Sequence, residues 1–259
     1  MRPLTNVLKS DDPMTQPEVT FVLTSCGRVD LLQKTIESFE KFNSYPIKRG
    51  IITEDSCDPE VYQQVKDLFG DRYEIWANET KKGQIKSIVD AYATIDTPYV
   101  FHCEDDWDFF KEGFIEEAFA ILNHDPKITQ IWLRTPVDLN RNEDFFTFGT
   151  LQDVEGFQFR DVITNGEFEW GYFSFNPGLK RMSDYHLLDG YKDCFCELDI
   201  SIRYREAGFR CVIAEKSGVA HSGDDRRLGD PTRVWPKRRK PNKPKGLKRL
   251  WWHIKHRKF

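Results

Sequence analysis

Apolar residues along this chain fall into short runs that alternate with stretches of helical spacing. The run 19–23, Val-Thr-Phe-Val-Leu, predicts a strand that ends in the polar Thr24-Ser-Cys-Gly-Arg28. Leu31, Leu32, Ile36, Phe39 and Phe42 then recur near the helical period, with Asp30 placed to cap that helix. A second strand at 50–53 gives way to the acidic turn Glu54-Asp55-Ser56 and to a helix opened by Asp58-Pro59, proline being preorganised for a first helical position. Residues 73–76 predict a third strand. After Asn78 and Gly83, residues 85–94 read as helix. Tyr99, Val100 and Phe101 begin a fourth strand, followed by a helix over 112–122 and a strand over 128–133. Residues 136–169 loosen into a segment rich in Phe, Asp, Asn and Gly, and long irregular segments in compact domains are usually functional or mobile. A helix over 195–207, with Gly208 as its C-cap, leads to a strand at 210–214 and to Val219-Ala-His-Ser-Gly223. No internal repeat is present.

This strand–helix alternation predicts an α/β fold, a mainly parallel sheet flanked by helices on both faces. In such sheets ligands sit beyond the carboxyl ends of the strands. Three of those ends carry Thr24-Ser-Cys-Gly-Arg28, Glu54-Asp55 and Glu104-Asp105-Asp106. Polar and acidic residues thus gather where a ligand is expected.

The fourth strand closes on four carboxylates in five residues, Glu104, Asp105, Asp106 and Asp108. Like charges packed at a strand end repel one another, and burying any of them is costly. A divalent cation would offset that repulsion, and carboxylate oxygens suit hard ions such as Mg²⁺ and Mn²⁺. Capping and first-turn acids of the following helix are the alternative reading.

Composition places the chain among globular proteins: 259 residues, 39% hydrophobic and 31% charged. No apolar run has the length of a membrane span, and the N-terminus lacks a signal-peptide core. The six cysteines are scattered and read as the reduced thiols of a cytoplasmic protein. The net charge of −4 hides an asymmetry. Of 38 Lys and Arg, 11 lie between Pro236 and Phe259, where no acid occurs, leaving 27 against 42 acidic residues elsewhere. The expected organisation is a leader at 1–17, one domain at 18–235 and a basic tail at 236–259. In the tail, Leu247, Leu250, Trp251 and Ile254 share one helical face amid basic residues. Such a segment suits an anionic membrane surface, with nucleic acid the less favoured polyanion and simple solubilisation the remaining reading.

Taken together, residues 19–223 resemble GT-A-fold glycosyltransferases of the family 2 type. The resemblance is carried by Thr24-Ser25 and Arg28, by Asp55, by Gly83 before a helix, by Glu104-Asp105-Asp106 at the DxD position, by Glu197-Leu-Asp199 on a late helix, and by His221. It implies a nucleotide-sugar donor, a divalent metal (Mn²⁺ or Mg²⁺) and transfer of the sugar to a hydroxyl of a glycan or lipid-linked acceptor. Thr24, Ser25, Arg28 and Asp55 would surround the base and ribose, Glu104 or Asp105 would approach the ribose, and Asp106 would bind the metal. His221 falls where metal ligation or a phosphate contact is expected. Glu197 falls where the family keeps its general base, while Asp199 would cap or pair with Arg203; Asp199 as the base, and both acids as ordinary first-turn residues, are the less favoured readings. Three departures stand out: Glu104 replaces the first Asp, Gln84 and Lys86 replace the usual Arg-Asn pair after Gly83, and Cys196 and Glu197 open the late acidic motif.

Glu169 and Trp170 are acceptor-site candidates, although aromatic residues are equally ordinary core material. Lys180-Arg181 reads as a solvated pair, with a phosphate contact the less favoured reading. A zinc site from Cys194, Cys196, Cys211 and His221 lacks any short-spaced cysteine pair to support it. The rival readings are a sugar nucleotidyltransferase, which would show a Gly-rich basic loop where only Gly27-Arg28 stands, and a catalytically silent membrane- or polyanion-binding module.

Overall fold

The computed structural model describes residues 16–137, 145–165 and 170–223. The basic tail, most of the leader and Glu169 lie outside the described residues. In order, the elements are β1 Val19–Ser25, α1 Val29–Phe42, β2 Arg49–Glu54, α2 Pro59–Phe69, β3 Glu74–Ala77, α3 Gln84–Tyr92, β4 Tyr99–Glu104, β5 Trp107–Phe109, α4 Phe114–His124 and β6 Ile128–Trp132. They continue with β7 Phe146–Phe148, β8 Gln152–Val154, β9 Phe157–Thr164, β10 Gly178–Arg181, α5 Met182–Leu187, α6 Glu197–Glu206, β11 Arg210–Ala214 and β12 Val219–His221.

The main sheet has the order β10-β4-β1-β2-β3. Its β1, β2, β3 and β4 run parallel, and only β10 is antiparallel, against β4. Both faces are covered, so every residue of β1 is buried, Thr20 included, and the strand reads as a mostly apolar run. Phe21 and Leu23 meet Leu32, Ile36 and Phe39 of α1 on one face, with the Phe21 and Phe39 rings stacked at 4.2 Å. Val22, Ile51 and Val100 meet Ile88, Ala91 and Tyr92 of α3 on the other. Asp30 does not cap α1: Arg28 takes the N-cap position without a side-chain cap bond, and Asp30 sits in the first turn, where its charge complements the helix dipole.

The loose segment 136–169 holds more structure than its sequence pattern predicts. β7, β8 and β9 join β11 and β6 in a second sheet of order β6-β11-β9-β7, with β8 paired to β9. The β8–β9 hairpin turns on Glu155 and Gly156, both at positive φ (52° and 86°). That is the two-residue hairpin geometry usually signalled by Asn-Gly or Asp-Gly, so Glu-Gly hides it. Lys180 and Arg181 are likewise not a solvated pair. Lys180 is buried on β10, and Arg181 bonds Asp184 and the carbonyls of Leu122 and Ile128. Among the described residues, no helix is long and apolar enough to cross a membrane.

Candidate active site

Parallel register aligns the three polar strand ends. Ser25 pairs with Glu54 across β1–β2, and Thr24 pairs with Glu104 across β1–β4. The β1–α1 loop, the β2 end and the acid cluster therefore open at one edge of the sheet. Asp105 is the hinge of the arrangement. Only 1% exposed, it accepts hydrogen bonds from Ser25 Oγ (3.1 Å), Cys26 N (3.4 Å) and Arg28 Nε (3.3 Å), and pairs with Arg28 Nη2. Burial, only partly opposed by Arg28, lifts its carboxyl to about 6. Glu104 goes further, to about 7, through burial and the neighbouring charges of Asp106 and Glu197, with Gln84 Nε2 bonded to its Oε1 at 2.6 Å.

Asp106 differs from its neighbours. Burial works against its charge, but His221 and Arg28 hold its carboxyl below the usual range. Its Oδ2 lies 2.8 Å from Arg28 Nη1 and 3.4 Å from His221 Nε2. The pairing of β12 with β5, which sets His221 opposite Trp107, brings that imidazole in. Gly223 completes the cradle: a Cβ there would stand 2.6 Å from the Asp106 Cβ, so only glycine lets the loop close over the carboxylate. Among the described residues no group of three His, Cys, Asp or Glu could hold a metal by itself. One carboxylate and one imidazole fit an ion that takes its remaining ligands from substrate phosphates and water. Arg28 now supplies the positive charge that such an ion would bring.

Asp55 fixes the floor beside this cluster. Its Oδ1 accepts from Asn78 Nδ2 (2.8 Å) and Lys82 N (2.9 Å), its Oδ2 from Gly83 N (2.9 Å), and Lys81 Nζ lies 3.3 Å away. The loop from β3 to α3 is thereby tied to the end of β2. Gly83, at φ 82°, is the N-cap of α3, a backbone conformation that glycine adopts without a steric penalty.

Glu197 opens α6, and its Oε1 accepts from Phe175 N (2.6 Å) and Ser174 Oγ (3.2 Å). Asp199 faces elsewhere and caps the same helix through Phe195 N (2.7 Å) and Cys196 N (3.2 Å). The two acids, two positions apart, divide into one that points at the sheet and one that secures the helix start. Glu197 is close enough to Glu104 for their charges to interact.

No protein-family model matches this chain, and no curated protein sequence matches it. Solved structures do. The chain aligns over 78% of its length with the mannosyltransferase PcManGT from Pyrobaculum calidifontis, solved with GDP-Man and Mn²⁺, at a TM-score of 0.55 and 11% identity. It aligns over 79% with GalNAc-T7, solved with UDP, GalNAc and Mn²⁺, at 0.55 and 11%, and over 80% with S. aureus TarS 1–349, at 0.55 and 9%. The fold is GT-A. The chain spans 57%, 44% and 60% of these three proteins.

Within this GT-A fold, Ser25, Arg28, Asp105, Asp106 and His221 form one connected group. Thr24 is nearly buried beside them, and Asp55 joins through the adjacent strand. Lys86 is exposed on α3, and it is Gln84 that reaches the acid cluster. Trp170 packs with Trp132 and Phe146, at 5.7 and 5.6 Å between ring centroids, in a separate apolar cluster. Sequence reasoning missed Lys81, whose Nζ meets Cys26 Sγ at 2.8 Å and the Asp55 carbonyl at 2.9 Å. Its only sequence signal was a place in the basic pair just before Gly83.

Proposed function

We propose that this chain is a glycosyltransferase that moves a sugar from a nucleotide-sugar donor, UDP-linked, to a hydroxyl of a glycan or lipid-linked acceptor, with inversion. The observation that carries the reading is the convergence at one sheet edge of Ser25, Arg28, Asp105, Asp106 and His221, with Glu197 close to Glu104. The GT-A fold supports it, since PcManGT and GalNAc-T7 were solved with nucleotide or nucleotide-sugar and Mn²⁺.

In this reading Thr24, Ser25, Arg28 and Asp55 line the base and ribose, and Asp55 also holds the 78–83 loop in place. Gly83 and Lys86 flank the diphosphate, and Glu104 and Asp105 stand toward the ribose. Asp106 and His221 would hold Mn²⁺ or Mg²⁺, which supplies Lewis-acid stabilisation of the charge on a departing diphosphate. Glu197 accepts the acceptor hydroxyl's proton as the new bond forms, and its hydrogen bonds to Ser174 and Phe175 set the carboxylate's orientation for that transfer. Glu169 and Trp170 would face the acceptor. Residues 236–259 would meet an anionic membrane surface.

A thermal-shift screen of nucleotides and nucleotide-sugars, with and without Mn²⁺, tests the reading, because a ligand bound only by the folded state raises the melting temperature. A UDP-sugar with Mn²⁺ should give the largest rise. Asp106→Asn and Gly223→Ala should each abolish the metal-dependent part, and Glu197→Gln should keep the shift while lowering donor turnover at least about 100-fold. A chain that responds to no nucleotide is not this enzyme.

A further inference from the structure

Glu54 ends β2 in a place where an acid is costly. It is 1% exposed, and its Oε2 is buried with no hydrogen-bond partner among the described residues. A buried carboxyl that leaves one oxygen unsatisfied weakens a fold, so its place calls for a reason other than packing. The other oxygen supplies one. Glu54 Oε1 accepts from Gly27 N (2.9 Å) in the β1–α1 loop and from Ser56 N (2.7 Å) in the β2–α2 loop. A single atom thus ties together two loops that reach the candidate site from neighbouring strands.

The contacts around it converge on the β1–α1 loop. Asp55 N donates to the Ser25 carbonyl at 3.0 Å, Lys81 Nζ meets Cys26 Sγ at 2.8 Å, and a Cβ on Gly27 would stand 3.5 Å from the Ser56 Cβ. Gly27 turns the chain at φ 73°, a conformation open to glycine without a steric penalty, and its N–H is the one that Glu54 holds. Arg28 comes next. Its carbonyl accepts from Leu31 N (3.0 Å) and Leu32 N (2.9 Å), which starts α1. The Arg28 backbone is therefore fixed by the helix on one side and by the Glu54-bound glycine on the other. From that origin its guanidinium reaches Asp105 through Nε and Nη2 and Asp106 through Nη1. A long side chain can meet two carboxylates at once only if its base is held still.

We propose that Glu54 is a positioning residue for Arg28: by holding Gly27 N it sets the start of α1 so that the guanidinium spans Asp105 and Asp106. Glu54 acts through Gly27 and not by contact with the aspartates. That the aligned group then receives a sugar donor rests on the glycosyltransferase reading, whereas the link from Glu54 to Arg28 stands on the hydrogen bonds alone.

The test is the Arg28 Nε–Hε signal in nitrogen-15 NMR spectra of the full chain, assigned by its loss in Arg28→Met. Glu54→Met keeps the bulk of the side chain and removes the acceptor, while Glu54→Gln keeps an oxygen that can take both N–H bonds. In Glu54→Met the Arg28 signal should move toward that of a solvated arginine and its hydrogen exchange should quicken about tenfold or more. In Glu54→Gln both should stay close to wild type. An Arg28 signal unchanged in Glu54→Met overturns the proposal. So does a Glu54→Gln signal that is lost or displaced as far as that of Glu54→Met, because acceptance of the two N–H bonds is then not what matters. A Glu54→Met protein that does not fold overturns it too, since that makes Glu54 a residue of the whole fold. The rise in melting temperature that UDP adds at fixed Mn²⁺ reports separately on the donor. It should shrink in Glu54→Met and survive in Glu54→Gln; a wild-type chain that shows no rise removes the donor reading and leaves the Arg28 signal to decide the role of Glu54.

Discussion

Replacing Arg28 with methionine removes the guanidinium that, among the described residues, touches both buried aspartates of the acid cluster. Arg28 is 15% exposed, against 1% for Asp105 and 10% for Asp106. Breaking a buried pair by removing one partner costs about 3–5 kcal/mol. Burial already lifts the Asp105 carboxyl to about 6, so without Arg28 it can relieve part of the penalty by taking up a proton, which favours the lower figure. A loss of about 3 kcal/mol corresponds to a melting temperature about 6–12 °C lower for a chain of this size. The sign with pH follows. A carboxyl whose folded pKa is raised costs more stability as pH climbs, so the Arg28→Met deficit should be larger at pH 8 than at pH 5. Metal supplies the second arm. Mn²⁺ at a hundred times its dissociation constant adds about 2.7 kcal/mol to a protein that binds it only when folded. With Arg28 gone, its guanidinium no longer competes for Asp106 and His221 is left as a co-ligand, so Mn²⁺ should raise the melting temperature of Arg28→Met more than that of wild type. Differential scanning fluorimetry in chelated buffer, then with Mn²⁺, reads both. A mutant that melts with wild type in chelator, or that gains no more from Mn²⁺, refutes the view of Arg28 as a stand-in cation.

Two further outcomes can be measured. Glu104, lifted from 4.5 to about 7, binds its proton more tightly in the folded state than in the unfolded one, so stability should fall as pH rises through that window, by about 3 kcal/mol. In metal-free urea denaturation, Glu104→Gln should show a correspondingly flatter pH profile, and parallel curves for the two proteins would rule out the buried-carboxyl account. The full chain should co-sediment with phosphatidylserine vesicles and release with salt, whereas a chain ending at residue 235 should stay in solution. Equal sedimentation of both would take the membrane role away from the tail.

The sequence by itself determined the repeating layers and the kind of chemistry at their ends. Periodicity is a local property, so β1, α1, β2, α3 and β4 could be read from windows of a few residues, and the run Glu104-Asp105-Asp106 marked a candidate site whatever its surroundings. The tertiary structure alone decided which partner each acid received. Asp105 meets Arg28 across 77 positions, Asp106 meets His221 across a β5–β12 pairing, and Glu197 leans on the segment that leads into Lys180. Three strands of the second sheet belong with these, whereas its β6 and β11 were readable from the sequence: β7 and β8 are three residues long, and β9 lacks strict alternation because only Phe159 and Val162 of its side chains are buried. Lys180 shows the principle most plainly: a basic residue next to Arg181 reads as solvated, and only the closing of β10 against β4 buries it. Spacing along a chain fixes which side chains share a face, but the charge a group carries depends on what is folded over it, and that comes from residues far away in sequence.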